Sequence, residues 1–223
     1  MPKSESAACP RAPDGASCAA MPTREPHWRP AERFTNAELP AVHRRWLLDD
    51  GSLTGRLIEL DAGSFGVRRL YQGWSVPRLS ERRLLNLPAR QTAIVREVLL
   101  TLDNRAVVFA RSVLPVAILQ GRLAHLRRLQ NKPLGAILFR DPGMQRSPFE
   151  LARLPGDSGY LPRELWQPQA LWGRRSCFRL RGHDLMVSEV FLPGFTPWEA
   201  ILPVHRTQRG KVSAAILHRD VGD

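Results

Sequence analysis

QTAIVREVLLTLDNRAVVFARSV, residues 91–113, reads as two β-strands joined by a tight turn at Asp103 and Asn104. Apolar β-formers flanking an Asx-type turn are the short-range signature of a hairpin. Strand side chains alternate between faces, so Ile94, Arg96, Val98 and Leu100 share one face of the first arm, and Val107, Phe109, Arg111 and Val113 one face of the second. With only Asp103 and Asn104 in the loop, Leu102 faces Arg105, and counting outward sets Arg96 opposite Arg111. Two cations facing each other across a ladder at ~5 Å repel by about 3 kcal/mol. An anion between them removes that cost, and arginine grips a carboxylate through a planar fork that does not deprotonate. The pattern points to a site for an acidic small molecule. The competing reading has both side chains snorkelling to solvent at a sheet edge, and a three-residue loop would break the pairing.

A second hairpin follows, with arms RRSCFRL (174–180) and DLMVSEVFL (184–192). On its return arm Leu185, Val187, Glu189 and Phe191 share a face, which places a carboxylate in an apolar row. A buried carboxylate without a partner is costly. Either an arginine, in a purely structural pair, or a ligand compensates it.

Outward from the hairpins, residues 64–76 read as a strand followed by a basic connection through Arg78, Arg82 and Arg83. A helical pattern runs from a cap at Thr35-Asn36 through Val42, Trp46 and Leu47 to a break at residues 50–52, and residues 53–60 form a second short helix. Pro115 opens another helix with apolar positions Ile118, Leu119, Leu123, Leu126 and Leu129, and a turn at residues 131–133 leads into LGAILF. The chain thus holds two helix-turn-helix units, serving either as core packing or as lids. Residues 1–34 read as a disordered or loosely attached tail, with Met21 an alternative start, and residues 155–169 as an exposed insertion.

At 223 residues one domain is expected. The net charge of +12 invites a nucleic-acid reading, but Lys3, Lys132 and Lys211 are the only lysines and the arginines are scattered along the whole chain. A nucleic-acid surface gathers its charge on one face. Cys9, Cys18 and Cys177 suggest no disulfide framework, and no apolar run has the length of a signal peptide core or a membrane span, so a cytoplasmic protein is expected. GDSG at 156–159 lacks the rest of a trypsin-like pattern. The six histidines show no zinc spacing, and P-loop and GxGxxG motifs are absent, so no metal or cofactor is expected.

Five blocks carry a family resemblance: WLLDDGSLT (46–54), REVLL (96–100), KPLG (132–135), LWGRRS (171–176) and SEVFLP (188–193). In this order the chain resembles the chorismate pyruvate-lyases, which make 4-hydroxybenzoate for ubiquinone, over about residues 38–194. The resemblance implies an α+β fold: a single antiparallel sheet of about six strands, with two helix-turn-helix flaps over an internal ligand site. It implies a domain at 35–194 and a C-terminal extension at 195–223 of unknown role. The family's substrate-binding positions fall on Leu53, Arg96, Leu134 and Glu189. The arginine matching Arg96 holds the ring carboxylate, the glutamate matching Glu189 meets the ring hydroxyl, and Arg111 matches a further arginine near the site.

The implied reaction is a cofactor-independent elimination of pyruvate from chorismate. In it Arg96, Arg111 and Glu189 are the catalytic candidates, with Arg111 on the side-chain carboxylate or leaving oxygen. A monomer that holds its product tightly is expected, with no nucleic-acid partner and no membrane insertion. One departure is Ala110, where a family member has glycine; alternation places it on the face opposite Arg111, which predicts a small effect. The alternative is a non-catalytic, hydroxybenzoate-sensing domain of the same fold, as in a class of bacterial repressors; these carry an N-terminal DNA-binding unit, for which the leader is too short and proline-rich.

Overall fold

The two hairpins become the centre of one antiparallel sheet in the computed structural model, which describes residues 25–119 and 121–202. In chain order the elements are β1 (Arg29–Pro30), α1 (Ala41–Leu47), α2 (Leu53–Glu59), β2 (Phe65–Ser75), α3 (Leu79–Leu84), β3 (Ala93–Leu102), β4 (Arg105–Pro115), α4 (Leu134–Leu138), β5 (Gln145–Arg146), β6 (Glu150–Leu154), β7 (Leu171–Leu180) and β8 (His183–Phe191). The strand order is β1-β6-β7-β8-β4-β3-β2, with β5 also pairing to β7. The fold is α+β as expected, but the sheet has eight strands rather than about six. The additions include β1 and β5, two residues each and too short to show a period. The residues expected to cap a first helix at Thr35-Asn36 form a turn, and α1 starts after Pro40. The basic connection at residues 78–83 contains α3, whose Glu81 accepts from the Arg78 backbone N–H. Residues 116–128 bury their apolar stripe but wind as 3-10 segments, Val116–Leu119 and Gly121–Arg128.

Both faces of the sheet are covered, so β3 and β4 are near-continuous apolar runs rather than alternating ones. On one face Val98, Leu100, Val108 and Phe191 pack against Trp46, Leu47, Leu53 and Leu57 of α1 and α2. Further along that face, Ile94 and Leu114 meet Leu119, Leu126, Leu134 and Leu138. On the other face Leu99, Phe109 and Val190 pack against Trp28, Tyr160 and Leu161. Two expectations change here. The segment at residues 155–169 is not simply an exposed insertion, since Tyr160 and Leu161 are buried. Within the expected tail, Trp28 is buried and Glu25 accepts from the backbone N–H groups of Leu79 and Ser80. Beyond residue 194, Phe195 and Trp198 stack edge to face and join the core over α1. Met21, Cys9, Cys18 and the strand-like VSAAIL lie outside the described residues.

The central hairpin turns at Asp103 and Asn104, both left-handed (φ 47° and 61°), as read from sequence. Its register does not continue as counted. Leu102 faces Arg105 and Thr101 faces Ala106, but Leu100 faces Val108, so Val107 is an extra residue in β4. A one-residue bulge moves every later side chain to the other face. Arg96 therefore faces Ser112, and Arg111 faces Glu97. The end of β8 braces the bulge: Leu192 N–H donates to the Val107 carbonyl, and any side chain larger than hydrogen at Gly194 would collide with the Ala106 carbonyl.

The cation pair expected between Arg96 and Arg111 is thus replaced by an ion triad on the face away from Arg96. Arg111 Nε and Nη2 bind both oxygens of Glu81 at 2.7 and 3.0 Å, and Nη1 meets Glu97 at 2.5 Å. Burial alone would lower the Arg111 pKa, but hydrogen bonding to Glu81 and its charge outweigh burial and raise it. Glu81→Ala leaves a buried guanidinium with half its compensation and is expected to cost about 3 kcal/mol in urea unfolding. A loss under about 1 kcal/mol would mean that the triad contributes little to stability.

Candidate active site

The face carrying Arg96 does not close completely against the helices. Between them lies a small, largely enclosed cavity. Its floor is the sheet, with Arg96 from β3, Ala110 and Ser112 from β4, and Val187 and Glu189 from β8. Its roof comes from both helical units: Ser52, Leu53 and Thr54 at the start of α2, and Leu134, Gly135 and Leu138 of α4. The two roof pieces touch, since a Cβ on Gly135 would lie 3.4 Å from Ser52 Oγ. Ser52 also caps α2, its Oγ accepting from the Gly55 N–H. Four of the predicted site residues, Leu53, Arg96, Leu134 and Glu189, thus line one cavity.

Arg111 does not line it. The bulge turns its side chain to the opposite face, where Glu81 and Glu97 occupy it. The same shift brings Ala110 into the cavity floor, so its expected remoteness from the ligand is also corrected.

Arg96 is buried, 2% exposed, without a carboxylate partner among the described residues. Its Nη2 donates to the carbonyls of Gln130 and Lys132 at 3.0 and 2.8 Å, while Nε has no hydrogen-bond partner. Desolvation first, and the nearby charge of Arg69 second, push its pKa down to about 10. An unmatched buried cation is expensive, and an anion entering the cavity would relieve it.

Glu189 is compensated from within the protein. Its cross-strand neighbour Arg174 donates from Nε to Oε2 at 2.6 Å. Arg174 Nη1 in turn donates to the Trp46 and Asp49 carbonyls, tying the floor to the turn between α1 and α2. A bidentate pair from Arg56 to Asp49 firms that turn. Held by Arg174, the Glu189 side chain is set up as a hydrogen-bond acceptor. Glu189 stands two strands from Arg96, roughly 10 Å across the sheet at ordinary strand spacing, which leaves room for a ring between their side chains.

Two more residues escaped the sequence reading. Arg174 was missed because the sequence reading began the return arm at Asp184; the turn holds only Arg181 and Gly182, so Leu180 faces His183 and unbroken counting sets Arg174 opposite Glu189. Arg146 in β5 also lines the cavity and had no such signal. Among the described residues, no group of three or more His, Cys, Asp or Glu side chains could hold a metal ion, and no helix is long and apolar enough to cross a membrane.

Residues 23–199 match the family model described as Chorismate lyase. A protein of Azoarcus sp. strain BH72 named "Probable chorismate pyruvate-lyase" is 48% identical over 158 residues, covering 67% of this chain and 83% of the relative. One of the same name from Aromatoleum aromaticum is 46% identical, covering 73% and 90%. "Probable chorismate pyruvate-lyase 2" of Pseudomonas fluorescens is 39% identical, covering 80% and 94%. Among solved structures, the effector domain of PhnF from Mycobacterium smegmatis aligns over 64% of this chain and 89% of its own at 13% identity, with a TM-score of 0.46, a distance at which no residue is transferred.

If Arg96 is kept for a ligand rather than for the fold, Arg96→Met in the ligand-free protein leaves unfolding free energy unchanged or raises it by about 1 kcal/mol. A fall of more than about 2 kcal/mol in denaturant titration would instead make its bonds to Gln130 and Lys132 a structural strut.

Proposed function

The chain belongs to the chorismate lyase family and acts as a chorismate pyruvate-lyase, and we propose that the cavity between sheet and helices is where the reaction runs. The observation that carries this reading is Arg96, a buried guanidinium without a counter-ion among the described residues, sharing a cavity floor with the Arg174-held Glu189. In this reading Arg96 takes the ring carboxylate and Glu189 accepts from the hydroxyl at the far side of the ring. Leu53 and Leu134 press on the ring from the two helical units, which act as flaps that open for exchange and close to exclude water.

Elimination breaks the bond from ring C3 to the ether oxygen and removes the hydrogen at C4. The ring becomes 4-hydroxybenzoate, and the leaving enolpyruvate becomes pyruvate once its methylene gains a proton. Aromatisation supplies the driving force, so the protein needs to fix the reactive conformer and favour charge leaving with the ether oxygen. The C4 hydrogen reaches that methylene within the substrate through a six-membered arrangement, or it leaves to a base. Glu189 is already engaged by Arg174, which supports positioning of the hydroxyl over proton abstraction. The product keeps the carboxylate and hydroxyl that Arg96 and Glu189 hold, and supply of 4-hydroxybenzoate to ubiquinone synthesis is the proposed role.

Chorismate incubated with the protein is expected to give equimolar 4-hydroxybenzoate and pyruvate by chromatography and a coupled assay. Glu189→Gln keeps a hydroxyl acceptor but loses charge, and is expected to lower kcat/KM roughly 10-fold. A collapse of kcat beyond about a thousandfold with KM unchanged would make Glu189 the base instead.

A further inference from the structure

Chorismate carries two carboxylates, and the cavity as described above assigns a partner to only one. Arg111, expected to hold the second, faces away from the cavity. Arg146 is the other arginine in the cavity wall whose charge meets no carboxylate in a salt bridge among the described residues. We propose that Arg146 binds the carboxylate of the enolpyruvyl side chain and so sets the conformation from which that side chain leaves. This rests on the lyase reading and completes it.

Three observations carry the assignment. The first is position. Across the sheet the order is Arg96 on β3, then β4, then Glu189 on β8, then β7, then Arg146 on β5. Arg146 pairs with Phe178, which faces the cavity, so it lies beyond Glu189 as seen from Arg96. In chorismate the ether-bearing carbon is adjacent to the hydroxyl-bearing carbon. A ring held with its carboxylate on Arg96 and its hydroxyl on Glu189 directs the side chain into the half of the cavity that Arg146 borders.

The second is unused donor capacity. Arg146 Nε donates to Ser176 Oγ at 2.8 Å, and Nη1 reaches the carbonyls of Asp50 and Gly51 at 3.2 and 3.3 Å. Nη2 makes no hydrogen bond among the described residues. These neutral contacts fix the direction of the fork without neutralising it, and the rings of Phe149 and Phe178 flank the guanidinium at 4.2 and 4.7 Å. Desolvation, with the charge of Arg174 second, pushes its pKa down to about 9, the direction expected of a cation that lacks its anion.

The third is the break in the strand. Gln145–Arg146 and Glu150–Leu154 pair along the same edge of β7, interrupted by residues 147–149. Pro148 has no N–H to give to a ladder. Ser147 bridges the gap, donating its N–H to the Cys177 carbonyl and accepting the Cys177 N–H on Oγ. The interruption holds β5 on the sheet as a separate piece whose one inward side chain is Arg146.

The test compares a dicarboxylate with a monocarboxylate. In Arg146→Met, kcat/KM for chorismate is expected to fall roughly 10- to 100-fold, while the dissociation constant for 4-hydroxybenzoate, measured by calorimetry, stays within about twofold of wild type. Arg146→Lys, which keeps the charge but not the fork, is expected to recover part of the loss. Chorismate turnover and 4-hydroxybenzoate affinity falling together would overturn the assignment and leave Arg146 a strut for the α1–α2 turn. Unchanged chorismate kinetics would overturn it as well. Wild-type protein that leaves chorismate intact would overturn the lyase reading itself, and this assignment with it.

Discussion

At the centre of the sheet, where both faces are covered, charged side chains are cut off from bulk water, and the rest of this structure follows from how each of these charges is compensated. Arg111 is matched by Glu81 and Glu97, Arg175 by Glu150 and Arg174 by Glu189. Around the cavity on the helix-covered face the compensation is incomplete. Arg96 and Arg146 meet backbone carbonyls, a hydroxyl and aromatic rings, and among the described residues no carboxylate pairs with them. Desolvation of two unpaired cations around one cavity is a cost that the fold alone does not require. An anionic substrate recovers it, which places binding where the protein leaves its own electrostatics incomplete.

The same arginines join the floor to the roof. Arg96 holds the carbonyls of Gln130 and Lys132, in the turn that leads into α4. Arg174 and Arg146 hold the carbonyls of Trp46, Asp49, Asp50 and Gly51, in the turn between α1 and α2. The groups proposed to grip substrate are therefore also in contact with both helical units. A carboxylate arriving at Arg96 shares a guanidinium with a roof turn, so occupancy and roof geometry are linked through shared hydrogen bonds rather than through a distant pathway.

Much of this was legible. The hairpin turn at Asp103-Asn104 follows from residues that tolerate left-handed backbone, and the break read at residues 50–52 ends at Ser52, which caps α2. Four cavity residues, Leu53, Arg96, Leu134 and Glu189, came from the family resemblance, with Arg96 and Glu189 also picked out by strand alternation. The register of the first hairpin was not legible. Register shows in a sequence when one face is polar, and in AVVFA both faces are apolar, so a slip at Val107 leaves no trace in the pattern. That slip explains both corrections at the site, the loss of Arg111 and the gain of Ala110. Arg146 was hidden because a two-residue strand carries no period, and Tyr160 because a proline- and glycine-rich segment reads as surface whatever it covers.

The most direct measurement sets Arg96 against Arg111, both assigned to the site by the family resemblance but on opposite faces of this sheet. Chorismate turnover is measured per mole of folded protein for Arg96→Lys and Arg111→Lys, with folded fractions from near-UV circular dichroism. If the bulge separates cavity from scaffold, Arg96→Lys loses roughly 10-fold or more in kcat/KM, while Arg111→Lys unfolds at lower denaturant and keeps near wild-type kcat/KM in its folded fraction. Full activity in Arg96→Lys together with a specific catalytic loss in folded Arg111→Lys would place the substrate on the other face and refute this account.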